Sequence, residues 1–195
     1  MYYEEDYKKV NALKRLKNNI ALFGRSMFPS ALRKSIPPFH GEVYKALADD
    51  EEKRVLIAAP RGTAKSTTTS LVFPLWKIAF KPSSEDSKKF IHLFGDYGPN
   101  TARRWTNTDI VLSNGARIIA VGTGQRVRGF IEGDTRPNLI IVDDYESELN
   151  AATPEARAKN KKWITEAVIP SLSDDGKIVM IGTVISEDCF LYWAK

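Results

Sequence analysis

Apolar residues recur at three- and four-residue spacing near the start of the chain, at Val10, Leu13, Leu16, Ile20 and Phe23. That period predicts one amphipathic helix within residues 1–35, with its lysines on a solvated face. Pro37-Pro38 ends it, and EVYKALADDEEKR carries a second short helical pattern. The pattern then changes. VLIAAP is a compact apolar run that stops at a glycine-bearing loop, and STTTSLVFPLWKIAF resumes helical spacing, so the predicted order is strand, loop, helix. Pro74 sits inside that helical stretch and predicts a kink, because proline lacks a backbone donor and crowds the preceding turn.

Further on, ARRWTNTDIVLSNGARIIAVG holds two β-like runs around Asn114-Gly115, a dipeptide suited to the positive φ of a tight hairpin. An antiparallel insertion is expected there. LIIVDD, residues 139–144, reads as a buried strand with carboxylates at its C-terminal end, where open α/β sheets bind ligands. Thr153-Pro154-Glu155 offers an N-cap, a first-turn proline and an early acid, opening a helix that runs through Trp163 to about Val168. KIVMIGT is the last predicted strand. The expected fold class is α/β, with a mainly parallel central sheet flanked by helices, an antiparallel hairpin insertion and an N-terminal helical segment.

Composition narrows this picture only a little. The 195 residues suit one domain, and 43% apolar with 27% charged residues is ordinary for a globular protein. No apolar run reaches the roughly 18 residues that cross a bilayer, and MYYEEDYKKV is not a secretory signal, so an intracellular protein with no membrane partner is expected. The single Cys189 excludes an internal disulfide, and with only His40 and His92 it cannot build a structural zinc cluster. A net charge of +5 suits a polyanionic partner such as DNA.

The chemistry concentrates in APRGTAKST, residues 59–67. A phosphate-binding loop of the form GxxxxGK[ST] wraps backbone N–H groups around phosphate, aims a lysine at its oxygens and offers a hydroxyl to Mg²⁺ at the start of a helix. Here both signature glycines are alanine, Ala59 and Ala64, while Lys65 and Ser66 are intact. Alanine is tolerable wherever φ is negative, and Gly62 remains for one strained position. The downstream strand ends in Asp143-Asp144, as a nucleotidase requires: one carboxylate on the metal side and a neighbour to orient the attacking water. GTGQRVRG has the glycine count of a dinucleotide loop, but it follows a hairpin and opens no helix, which argues against a Rossmann site.

Together, APRGTAKST, GTGQRVRG, RPNLIIVDDYE and KIVMIGTVISED resemble the ATPase domain of the large terminase subunit of tailed bacteriophages, from about Pro37 to the C-terminus. The resemblance implies a P-loop NTPase of the ASCE type, with residues 1–36 as a helical lid segment and 37–195 as the ATPase domain. It implies ATP and Mg²⁺ as ligands and a motor that drives double-stranded DNA into a capsid in the host cytoplasm. The implied partners are the portal protein, the small terminase subunit and further copies in a ring, with a monomer in isolation. Pro60, Arg61, Gly62, Thr63, Ala64, Lys65, Ser66 and Thr67 become the phosphate loop. Within it Arg61 and Lys65 contact phosphate, and Ser66 holds Mg²⁺ together with Asp143. Asp144 and Glu146 are rivals for the water-activating carboxylate. Thr183 senses the γ-phosphate. Phe39, His40 and Tyr44 of PPFHGEVY are candidate adenine contacts, or else core aromatics. Arg126, Arg128 and Arg136 are surface charges, or one of them is the arginine supplied to a neighbour's ATP, with Arg128 and Arg136 the preferred pair.

The chain departs from the family pattern in places. Val184 stands where many relatives have proline. Only 78 residues separate Lys65 from Asp143, whereas relatives carry a further strand and helix there; KKFI begins such a strand and HLFG follows at once, so the chain is shortened or residues near Ile91-His92 are missing. No acidic nuclease constellation is present by Lys195, and an ATPase fragment without DNA cleavage is expected. Two rival functions share some of these features: a helicase- or recombinase-like DNA-dependent ATPase, and a non-catalytic DNA-binding assembly module. The first lacks a recognisable second motor domain, and intact Lys65, Ser66 and Asp143 argue against the second.

Overall fold

The computed structural model describes residues 2–32, 37–80, 100–127 and 136–194, with side chains from residue 10 onward. In chain order the elements are α1 (Tyr2–Lys17), α2 (Ile20–Met27), α3 (Phe39–Ala48), β1 (Arg54–Ala58), a π turn (Thr67–Val72) and α4 (Phe73–Phe80). Then come β2 (Arg104–Trp105), β3 (Asp109–Val111), β4 (Arg117–Ile119), β5 (Leu139–Asp143), α5 (Pro154–Trp163), β6 (Lys177–Gly182) and α6 (Phe190–Trp193). The described residues form a mixed α/β fold with one parallel three-stranded sheet and one antiparallel three-stranded sheet. The contacts divide it into two compact units, residues 1–38 with 71–120 and residues 39–70 with 121–195.

In the first unit the single N-terminal helix expected from apolar spacing is two. Asn19 interrupts it: the residue is extended, and its Oδ1 accepts from the Leu22 backbone N–H at 2.8 Å. A side chain that serves as an N-cap outweighs continued periodicity. Ile20 and Phe23 of α2 are buried with Val72, Phe73, Trp76 and Phe80, and Phe23 meets Phe80 edge to face at 5.7 Å. Trp76 Nε1 donates to the Leu16 carbonyl at 3.1 Å. Pro74, where a kink is expected, is the second residue of α4, and a π turn lies directly before that helix. Widening the turn that precedes proline relieves the crowding of its ring.

The hairpin forms where Asn114-Gly115 predicts it, but with a longer turn. Only Gly115 has positive φ, at +86°, whereas a two-residue type I′ turn requires it at both central positions. Leu112 accepts from Gly115 N–H and donates to Ala116, leaving Ser113, Asn114 and Gly115 as a three-residue loop. Asn114 Oδ1 accepts from Ala116 N–H at 3.0 Å instead of adopting the left-handed conformation. Strand β2 was not legible in the apolar pattern. Its Arg104 joins Arg117 of β4 on Asp109 of β3.

The second unit holds the parallel sheet in the order β1-β6-β5. Every residue of β6 is buried, as a central strand covered on both faces must be. Val55 faces Val179 and Ile57 faces Ile181 on one side, while Ile141 and Asp143 face Val179 and Ile181 on the other. Beneath β5 and β6, a core of Tyr145, Ile164, Val168, Ile178, Met180 and Phe190 packs against Trp163. Tyr145 stacks on Trp163 at 5.5 Å and donates its hydroxyl to the Asn160 carbonyl at 2.8 Å. Burial pushes that phenol above its ordinary range, aided by the charge of Glu146. Helix α5 starts as expected, with Thr153 Oγ1 accepting from Ala156 N–H and Pro154 in the first turn. Among the described residues no helix is long and apolar enough to cross a membrane.

Candidate functional site

Three parallel strands end at one edge of the sheet, and each hands its chain to a segment bearing a candidate residue. The ladder runs slightly past the strand ends: Ala59 N–H donates to Gly182, and Asp144 N–H donates to Ile181. Loop 59–66, the acidic pair and Thr183 therefore share one rigid register.

Gly62 in the loop has φ +79°, meeting the expectation for the strained position. Ala64 stands at φ +56°, in the left-handed region, where a Cβ costs about 1 kcal/mol. The condition under which alanine replaces glycine without strain, a negative φ, is not met here: the loop imposes glycine-like geometry on Ala64. Residues in left-handed conformation between ordinary ones form the backbone concavities that bind anions, and a helical run starts here at Lys65. Thr63 Oγ1 donates to the Pro60 carbonyl at 2.8 Å and closes the loop on itself.

Lys65 is 6% exposed, and its ammonium has two loosely spaced partners, Thr183 Oγ1 at 3.2 Å and Asp144 Oδ1 at 3.7 Å. Ser66 Oγ donates to Asp143 Oδ1 at 2.9 Å. Ser70 Oγ donates to Asp143 Oδ2 at 2.7 Å, so both carboxylate oxygens face hydroxyls from the same side of one helix. The phosphate-loop pattern does not include Ser70; its signal is a second hydroxyl four residues beyond Ser66, in STTTS. Asp144 follows the strand at φ +41° and is exposed. Glu146 is committed elsewhere: its Oε2 accepts from Phe190 N–H at 2.5 Å, at the start of α6, and its Oε1 is buried without a hydrogen-bond partner.

The aromatic segment lies against the loop. His40 and Tyr44 are buried and Phe39 is half-buried, with His40 edge-on to both rings at 4.4 Å and 6.1 Å. His40 Nε2 is 2.6 Å from the Thr63 carbonyl. Arg61 is exposed on the loop, and Thr67 is half-buried at the start of the π turn. Arg126 is exposed beside Gln125, whose carbonyl accepts from Trp163 Nε1; the described part of the segment, residues 122–127, forms a turn. Arg128 and the region around Ile91-His92 lie outside the described residues. Arg136 precedes β5 at its other end, roughly 20 Å of extended chain from Asp143, and donates to the Pro170 carbonyl at 2.9 Å.

For Mg²⁺ the donor chemistry fits in part. Ser66 and Asp143 supply hard oxygens side by side, while the described residues contain no group of three or more His, Cys, Asp or Glu side chains able to hold a metal. A Mg²⁺ bound through one carboxylate, one hydroxyl and substrate phosphates needs no such cage. In comparison with known proteins, neither family models nor curated proteins give a match to this chain.

Proposed function

We propose that this chain is a P-loop ATPase of the ASCE type, the ATPase domain of a large-terminase-like motor that hydrolyses ATP to drive double-stranded DNA into a procapsid. One observation carries the reading: a nearly dry Lys65 at the head of a helix, shared loosely between Thr183 and Asp144, beside a Ser66–Asp143 pair. A buried ammonium with such partners is suited to exchange them for the β/γ-phosphate oxygens of ATP, whose charge repays its desolvation. Ser66 and Asp143 would hold Mg²⁺, which when bound neutralises charge on the phosphates.

Asp144 is the better candidate to orient the attacking water. It is exposed next to Lys65, whereas Glu146 has one oxygen spent on α6 and the other buried. Release of Lys65 from Asp144 as phosphate binds would free that carboxylate to accept a proton. Thr183, at the end of the central strand, would then report the loss of the γ-phosphate through the same lysine. Arg61 adds a second phosphate-facing cation, and Phe39, His40 and Tyr44 border the position for adenine. Arg136 cannot reach its own site from the far end of β5, so any role in turnover is to a neighbouring copy in a ring. DNA, the portal protein and the small terminase subunit are the partners this reading entails, and the net charge of +5 favours the first.

The test is Mg²⁺-dependent ATP turnover together with calorimetry of ATP binding. Lys65→Ala should abolish turnover and weaken ATP binding at least about 100-fold, the loss of a desolvated charge-assisted contact. Equal affinity of wild type and variant would end the assignment.

A further inference from the structure

We propose that His40 is a positioning residue that holds the phosphate loop in its strained shape, its Nε2–H donating to the carbonyl of Thr63, the residue directly before left-handed Ala64. The inference rests on the function proposed above only for its consequence, nucleotide affinity; the contact itself is a property of the loop.

Four observations meet at this point. The Nε2 to Thr63 oxygen distance of 2.6 Å is among the shortest side-chain contacts of the second unit, and because a carbonyl only accepts, the hydrogen must lie on Nε2. His40 is 3% exposed, so water does not compete for that carbonyl from the side the ring covers. The ring cannot turn freely, being wedged edge-on between Phe39 and Tyr44. And the peptide it grips joins Thr63 to Ala64, whose φ of +56° an alanine does not adopt without a compensating contact. Relatives of the GxxxxGK[ST] pattern place glycine at this position and need no such compensation. In this chain alanine occupies it, and a buried donor from α3 supplies the restraint. Helix α3 is itself fixed at its other end, where Lys177 donates to the carbonyls of Ala46, Leu47 and Asp49. The grip on the loop thus has a rigid backing in the central strand.

The test compares His40→Phe, which keeps a ring but removes the donor, with His40→Gln, whose amide nitrogen can occupy the place of Nε2. Amide hydrogen exchange of residues 61–66 is read in the whole chain, with β6 as internal reference. His40→Phe should exchange about tenfold faster in the loop with β6 unchanged, and His40→Gln should stay within about threefold of wild type. Adding Ala64→Gly to His40→Phe should return the loop most of the way, since glycine removes the strain that the histidine restrains. Should His40→Phe not fold, His40→Asn, too short to reach the carbonyl, replaces it. Unchanged loop exchange without the donor, or a Gln variant as fast as Phe, would overturn the proposal. So would an Ala64→Gly that slows nothing. Calorimetry with Mg·ATP forms a separate arm, with affinity expected to fall about tenfold in His40→Phe and to recover in His40→Gln. If wild type binds no ATP, the ATPase reading fails while the exchange measurement still decides the role of His40.

Discussion

Two lysines lie almost dry at opposite ends of one strand system, and they are held in opposite ways. Lys177 opens β6, is 3% exposed and donates to three backbone carbonyls at 2.7, 3.2 and 2.7 Å at the C-terminal end of α3. Every donor is used, and the cation sits where the helix dipole favours it. Lys65, 6% exposed near the other end of β6, has one hydroxyl at 3.2 Å and one carboxylate at 3.7 Å. Burial alone does not distinguish scaffold from site. What distinguishes them is whether the partners are backbone groups that cannot leave or side chains that can.

The sharpest way to break this comparison is to remove each charge in turn. Lys177→Met leaves the carbonyls of Ala46, Leu47 and Asp49, at and just past the end of α3, without their donor and should cost about 3 kcal/mol of stability by chemical denaturation. Lys65→Met should change stability by less than about 1 kcal/mol, because the desolvation it relieves offsets the weak contacts it loses. ATP binding should respond in the reverse order. Equal losses of stability would mean that Lys65 is as much a structural cation as Lys177.

The same contrast divides the two carboxylates. Asp144→Asn should slow turnover about 100-fold, roughly 2.7 kcal/mol of activation free energy, while ATP affinity stays within about threefold. Glu146→Gln should keep turnover near wild type and instead lose about 1 kcal/mol of stability, since its charge-assisted bond to Phe190 N–H weakens. A Glu146→Gln protein that is stable and inactive would reverse the assignment.

Much of this arrangement could be read from the residue order. The strand–loop–helix unit, the acidic strand end and the last strand are local patterns of apolar runs and breakers, and each formed close to its expected bounds. What escaped was of two kinds. Side chains that act on the backbone went unseen: Asn19 ending a helix, Asn114 reshaping a turn, His40 gripping the Thr63 carbonyl. These depend on atoms that approach only after folding. Glycine-like geometry at an alanine was also unreadable, because alanine is tolerable only at negative φ and nothing in the residue order says which φ the closed loop demands at Ala64. Pattern and resemblance pointed to Lys65, Ser66, Asp143 and Thr183, and adjacency to Asp143 favoured Asp144 while leaving Glu146 a rival. Their difference is one of hydrogen-bond commitment, which spacing does not encode.

Ser70 extends the comparison to a hydroxyl that pattern did not name. It donates to the Asp143 oxygen that Ser66 leaves free, and so fixes the plane of the carboxylate. Ser70→Ala should weaken apparent Mg²⁺ affinity about tenfold, near 1.4 kcal/mol, in a Mg²⁺ titration of ATP binding, while the fold keeps its stability within about 0.5 kcal/mol. No change in Mg²⁺ dependence would reduce Ser70 to a surface hydroxyl.

The smallest effect belongs to a charge that is fully paired but wet. Asp109 receives the Arg117 fork, Nε at 2.8 Å and Nη2 at 2.9 Å, and Arg104 Nη1 at 2.6 Å. The hydrogen bonds from Arg117 lower its pKa to about 2, against an opposing desolvation, with Arg104 adding to the fall. Its partners resemble those of Lys177 in number and those of Lys65 in kind, yet its side chain is 22% exposed and Arg104 44%. Solvent screening should therefore hold its worth below about 1 kcal/mol. The sign follows from the lowered value: the folded state binds this proton more weakly than the unfolded chain does, so the stabilisation is complete above the ordinary aspartate range and fades as pH falls towards 2. Urea denaturation of Asp109→Asn should show a deficit at pH 7 that is unchanged at pH 5, shrinks below pH 4 and closes near pH 2. It should also shrink at high salt, where screening weakens exposed pairs. A deficit constant with pH would mean that Asp109 contributes through shape and not through charge, and that its arginines, unlike Lys177, stabilise nothing electrostatically.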